Sequence, residues 1–178
     1  MPLISERGLI DDPWIRATQD ADRPASGLVL LPLADILAEG DRLAGAGLDL
    51  GIEVPSDTAL SVIRPWLARV GLVALRFPAF SDGRGFSLAR QLRLEGYSRG
   101  LRAVGPLIAD QFAFALACGF DHFEIDADVF ARQPLDQWLA AAKSMSVSYQ
   151  RGYGGPLNAL DARRHAQRVA RRAASGRS

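Results

Sequence analysis

The chain of 178 residues is 48% hydrophobic and 23% charged, a composition that suits one compact domain with its own core and not a disordered segment. No apolar run approaches the roughly 20 residues of a membrane-spanning helix, and the opening MPLISERGLIDDPW lacks the segments of a signal peptide, so a soluble cytoplasmic protein is expected. One cysteine, Cys118, and two distant histidines, His122 and His165, leave no internal disulfide and no thiolate cluster or histidine centre, so neither a metal nor a cofactor is expected.

In chain order, the runs PWIRAT (Pro13 to Thr18) and GLVLLP (Gly27 to Pro32) predict two strands joined by a proline-bearing loop, a pair able to form an antiparallel N-terminal edge. LADILAEGDRLA places Leu33, Ile36, Leu37 and Leu43 at helical spacing, predicting a helix over Leu33 to Ala44. LDLGIEVP (Leu48 to Pro55) reads as a strand. SDTALSVIRPWLARV reads as a helix with Ser56 or Asp57 as its cap, kinked at Pro65. GLVALRFP (Gly71 to Pro78) is the clearest buried strand.

The loop FSDGRG follows that strand directly and opens a helix through FSLARQLRLEG. Then come a strand LRAVG (Leu101 to Gly105), an apolar helix PLIADQFAFALACG, a strand DHFEID (Asp121 to Asp126), a helix PLDQWLAAAKSM and a last strand SVSYQ (Ser146 to Gln150). Strands alternating with helices predict an α/β fold with a mainly parallel sheet of βα units and an N-terminal antiparallel edge hairpin. About five such units are too few for a closed eightfold barrel, so a partial barrel or an open sheet is expected, with an exposed edge that a homodimer would cover.

Residues 1–156 are read as the single α/β domain and 157–178 as a basic extension, helical or disordered. From Leu157 onward six arginines stand against Asp161, net +5, while the rest carries 15 basic and 19 acidic side chains, net −4. A basic helix can bind nucleic acid or an acidic partner, although this one has a weak, alanine-rich apolar face. Trp14, Trp66 and Trp138 are scattered, as core residues are, and form no array for stacking bases.

In parallel α/β folds ligands collect where strand C-termini meet helix N-termini. Arg76, Gly83, Arg84, Gly85, Ser87 and Arg90 stand at such a place and could grip a phosphate, sulfate or carboxylate, with Ser87 as cap of the following helix. The same residues also make a tight turn in which Gly85 adopts a conformation closed to other residues and the arginines stay solvated. Asp82, Asp110 and Asp126 are the candidate acids and bases, each placed near a strand end or helix start.

The segment LRFPAFSDGRGFSLARQLR, with LRAVGPLIADQFAFALACGFDHFEI, resembles the bacterial family called domain of unknown function 934, most specifically over Arg76 to Glu124. The signature F-x-D-G-R-G-[FY]-S-x-A-x-x-L-R is matched by Phe80, Asp82, Gly83, Arg84, Gly85, Phe86, Ser87, Ala89, Leu92 and Arg93. Family members tend to carry Asp after R-A-V-G, where this chain has Pro106. The family is labelled an oxidoreductase of sulfite reduction, which implies a role beside sulfite reductase or its electron donor. Since no flavin, nicotinamide or iron–sulfur motif is present, an accessory protein is expected, with a small enzyme acting on an anionic metabolite as the alternative.

Overall fold

The computed structural model describes residues 1–17 and 23–150. The chain divides into two compact units, Met1–Lys143 and Ser144–Ser178, and the account below concerns the first. The expected boundary at residue 156 lies outside the described residues.

Eight strands build one sheet: β1 (Leu3–Ser5), β2 (Gly8–Leu9), β3 (Ile15–Arg16), β4 (Gly27–Pro32), β5 (Leu48–Pro55), β6 (Leu72–Arg76), β7 (Gly100–Gly105) and β8 (His122–Ile125). Their order is β2-β1-β8-β7-β6-β5-β4-β3. From β3 to β8 every pair is parallel; β1 runs antiparallel to β8, and β2 to β1. The result is an open half-barrel, as the count of βα units predicts. Both outer strands are two residues long, which leaves little free ladder for another strand to join.

The helices are α1 (Leu33–Gly45), α2 (Leu60–Ile63), α3 (Arg84–Leu94), α4 (Ala109–Cys118), α5 (Ala127–Arg132) and α6 (Leu135–Gln150). Three local expectations are corrected. The antiparallel edge is made by Leu3–Leu9, whereas the 13–18 and 27–32 pair is parallel, because a connection of some ten residues lets the chain return to the same end of the sheet. Ser56 and Asp57 cap no helix; α2 starts at Leu60, and a 3₁₀ turn, Arg64–Trp66, absorbs Pro65. SVSYQ is the end of α6 and not a strand, since the free side of β8 is already taken by β1, with Leu3 opposite Glu124 and Ser5 opposite His122.

Period-two alternation divides the strands between two faces. Val29, Leu31, Leu50, Ile52, Val54, Val73, Leu75, Leu101, Ala103, Phe123 and Ile125 point to the helices and form the main core with Ile36, Phe86, Leu92, Phe112 and Trp138. Burying each large apolar side chain contributes roughly 1.5–3 kcal/mol, so this layer supplies most of the driving force. On the opposite face, Leu30, Leu72, Ala74 and Val104 form a smaller cluster with Trp14. The Trp14 ring lies over Gly51 and Gly71, where an added Cβ would approach it to 2.9 and 3.2 Å. Around this patch the opposite face is charged.

Candidate functional site

The C-terminal ends of β5 to β8 surround a cavity of about 520 Å³. Ser56 and Asp57 approach it after β5, Arg76 and Phe77 at the end of β6, Gly105 and Pro106 after β7, and Asp126 after β8, with Arg84 reaching in from the start of α3. This is where the topology of a parallel sheet places ligands.

The loop that bears the signature is built around Asp82. Its Oδ1 accepts the Arg84 backbone N–H at 3.0 Å, closing the turn, and Arg84 folds back to donate from Nε (3.0 and 3.1 Å) and Nη2 (2.7 Å). Ser56 Oγ, on a buried residue, donates to Asp82 Oδ2 at 3.2 Å, and Arg84 Nη1 donates to Asp57 at 3.0 Å. The Arg84 guanidinium holds the Asp82 carboxyl far below the usual carboxylate range, and Asp82 in return raises the pKa of Arg84. Asp82 therefore stays ionised and uses its lone pairs to tie the loop to the residues after β5.

Glycine has a packing role at Gly85, not a conformational one. Its φ is not positive, but an added Cβ would stand 2.4 Å from Phe77 Cζ. Gly83 precedes α3 with φ −83° and open space around it. Gly105 meets both constraints, with φ +125° and the Phe77 carbonyl oxygen 2.5 Å from where a Cβ would lie.

Of the sequence-predicted residues, Arg76, Arg84 and Asp126 line the cavity, with Asp82 at its rim bonded to Arg84. Ser87 and Arg90 lie on the exposed side of α3 and do not line it, because Phe86, Leu88, Ala89 and Leu92 turn the other side into the core. Ser87 is not a cap, since the helix begins at Arg84. Asp110 is exposed in the first turn of α4, away from the cavity. Asp126 occupies the N-cap position of α5 without a capping hydrogen bond, so among the described residues its carboxylate is left without a partner. Cys118 is buried, and burial pushes its thiol upward, away from reactivity. No group of three or more His, Cys, Asp or Glu is placed to hold a metal ion among the described residues.

An ion network behind the cavity is absent from the sequence reading. Arg76 Nε donates to Glu53 Oε1 at 2.6 Å, and Glu53 also accepts from Arg16 Nε at 2.9 Å. Arg16 forks onto Glu124 at 2.6 and 2.8 Å, and Glu124 accepts from Arg102 at 3.1 Å. Arg102 is 1% exposed and the Glu124 side chain 5%. Burial pushes the Glu124 carboxyl up, but hydrogen bonds and charge from Arg16 and Arg102 more than offset this and hold it below its ordinary value. The signal was present in IEV, LRAV and HFEI: Glu53, Arg102 and Glu124 each sit at the pleat position opposite apolar neighbours.

Another signature position serves the opposite end of the sheet. Arg93 donates to the carbonyls of Gly119 (2.9 and 2.7 Å), Tyr97 (2.7 Å) and Arg99 (2.8 Å), and to Asp121 (2.7 Å). Gly119 ends α4 in the left-handed region, φ +105°, with Arg93 packed where a Cβ would be.

The family model described as bacterial protein of unknown function, domain of unknown function 934, matches residues 51–159. The chain belongs to this family. No curated protein matches it. The region shared with the domain of unknown function 934 starts inside β5 and contains every residue lining the cavity, together with Glu53, Arg102 and Glu124. Asp12 and Arg16 stand before it. Within the family signature, Asp82, Gly85, Phe86, Ala89, Leu92 and Arg93 have structural roles, while Phe80 stays 56% exposed. The basic segment from Leu157 onward, candidate for nucleic acid or an acidic partner, lies outside the described residues. Among these, no helix is long and apolar enough to cross a membrane.

Proposed function

We propose that this protein is a cytoplasmic accessory factor of assimilatory sulfite reduction, acting with sulfite reductase or its electron donor through the cavity at the ends of β5–β8. The observation that carries the proposal is membership in the domain of unknown function 934 family, which the sequence resemblance links to sulfite reduction. Arg76 and Arg84 at the cavity supply cationic groups suited to a small oxyanion, although each is already paired with carboxylates. Deleting the gene should abolish growth on sulfate or sulfite while growth on cysteine continues, and affinity purification at native expression should recover the reductase or its electron donor. Normal growth of the deletion strain on sulfate, where sulfite reductase is essential, defeats the proposal.

A second reading, a small α/β enzyme acting on an anionic metabolite, is favoured by Asp126. Its unpartnered carboxylate lines the same cavity as Arg76, giving one group free to accept a proton and one to hold an anion. Asp126→Asn should remove turnover and leave anion binding intact.

A further inference from the structure

Pro106 lines both this cavity and a second hollow of about 450 Å³, walled also by Phe80, Ile108, Val129, Arg132 and Gln133. Either hollow has the size of a small-molecule site, and together they exceed what an inorganic oxyanion needs. The second is built from anchored parts. Gln111 Nε2 donates to the Phe80 carbonyl at 2.6 Å while its Oε1 accepts the Ile108 N–H at 3.2 Å, which fixes the backbone beneath the ring. Gln133 Oε1 accepts the Ala109 N–H at 2.9 Å and its backbone carbonyl accepts Trp138 Nε1 at 2.8 Å, so the side-chain NH₂ is left as the donor.

Three chemistries line the two hollows. Arg76 and Arg84 present guanidiniums to the first hollow, Arg76 paired with Glu53 and Arg84 with Asp57 and Asp82, so an anion there would share these donors with the carboxylates. Asp126, with no partner among the described residues, offers a carboxylate able to accept from hydroxyl groups, the job an acidic residue at a strand end performs on a ribose. Phe80 exposes over half its surface and takes part in no ring contact among the described residues, leaving its face open to a flat ring. The Gln133 amide and the Arg132 guanidinium stand beside it to meet the polar edge of that ring.

We propose that the two hollows form one binding site for an organic phosphate that carries hydroxyls and a flat nitrogenous ring, that is, a 5′-mononucleotide. The phosphate lies at Arg76 and Arg84, the sugar hydroxyls at Asp126, and the base against Phe80. The inference deepens the reading of the cavity as the working site and rests on it.

The test is calorimetric titration of the full chain with the four 5′-ribonucleoside monophosphates, the four nucleosides and inorganic phosphate, at fixed ionic strength. At least one monophosphate should bind ten or more times more tightly than both its nucleoside and phosphate. Phe80→Ala should weaken it by tenfold or more while leaving the affinity for phosphate unchanged, and Asp126→Asn should weaken the ribonucleotide more than its 2′-deoxy counterpart. Thermal unfolding of both variants, expected at the parent temperature, establishes that the fold persists. No binding of any monophosphate, affinity no greater than that for phosphate, or indifference to Phe80→Ala overturns the proposal. Such a result alongside a sulfate-growth defect in the deletion strain sinks the nucleotide site alone; nucleotide binding with normal growth sinks only the role in sulfite reduction.

Discussion

Arg102 on β7 is joined to Asp12, ninety residues earlier, by two parallel hydrogen bonds, Nη1 to Oδ2 at 2.7 Å and Nη2 to Oδ1 at 2.6 Å. The pair pins the segment before β3 across the face of the sheet opposite the main core. Trp14, two residues on, seats over Gly51 and Gly71, and Arg16 then grips Glu53 and Glu124. Three consecutive alternate residues thus hold this segment to the sheet, and the last of them feeds through Glu53 to Arg76 at the cavity.

Arg102→Met should destabilise the fold by about 3–5 kcal/mol, because removing the buried cation leaves Glu124 with only Arg16 and Asp12 with no ion-pair partner. Urea unfolding measures the loss. Pairing the change with Glu124→Leu should recover part of it, since the buried carboxylate that has lost one of its two arginines is then removed from β8; a double variant no more stable than Arg102→Met contradicts this.

Acid should weaken the protein in two stages. Burial holds the His122 imidazole below its ordinary pKa, with its Nδ1 buried and unpartnered. Its contribution is present above about pH 6.5, the unfolded value, and is lost as pH falls from there towards the lower folded value. Burial pushes Asp12 and Glu124 up, but their arginine hydrogen bonds outweigh it and leave both lowered. Their contribution is present above roughly pH 4–4.5 and lost below it. Chemical denaturation across pH 3–8 should show both stages, and His122→Asn should flatten the first alone.

Gly85→Ala and Gly83→Ala should behave oppositely though two residues apart. At Gly85 the methyl would enter the Phe77 ring, a clash expected to cost about 1–3 kcal/mol. At Gly83 an added Cβ would meet no atom within 4 Å beyond its chain neighbours and φ is ordinary, so alanine should be neutral or stabilising by up to about 1 kcal/mol. Thermal melts of the two variants decide the matter, and equal melting temperatures would refute the packing account.

Arg93→Lys should loosen the loops at 97–99 and 119–121 without melting the core. One ammonium cannot span the carbonyls of Tyr97, Arg99 and Gly119 that the guanidinium fork reaches. Hydrogen exchange should speed up in those loops, with β6 and β7 amides still protected.

The βα alternation and the bounds of β5 could be read from period and turn residues, as could the family signature and the loop that bears it. Helical period alone even places Ser87 and Arg90 outside, since Phe86, Ala89 and Leu92 occupy the inward positions of α3. The convergence of Arg76, Arg84 and Asp126, with Asp110 left apart, could not be read. Nor could the partners of Arg102, or the parallel pairing of β3 with β4. Local pattern reports which way a side chain points, because that depends on dihedral geometry within a few residues. Which residues meet depends on strand order and register, and these bring together groups 23, 37, 90 and 108 positions apart that carry no mark of one another in the chain. The sequence by itself determined the faces, while the tertiary structure decided the contacts across them.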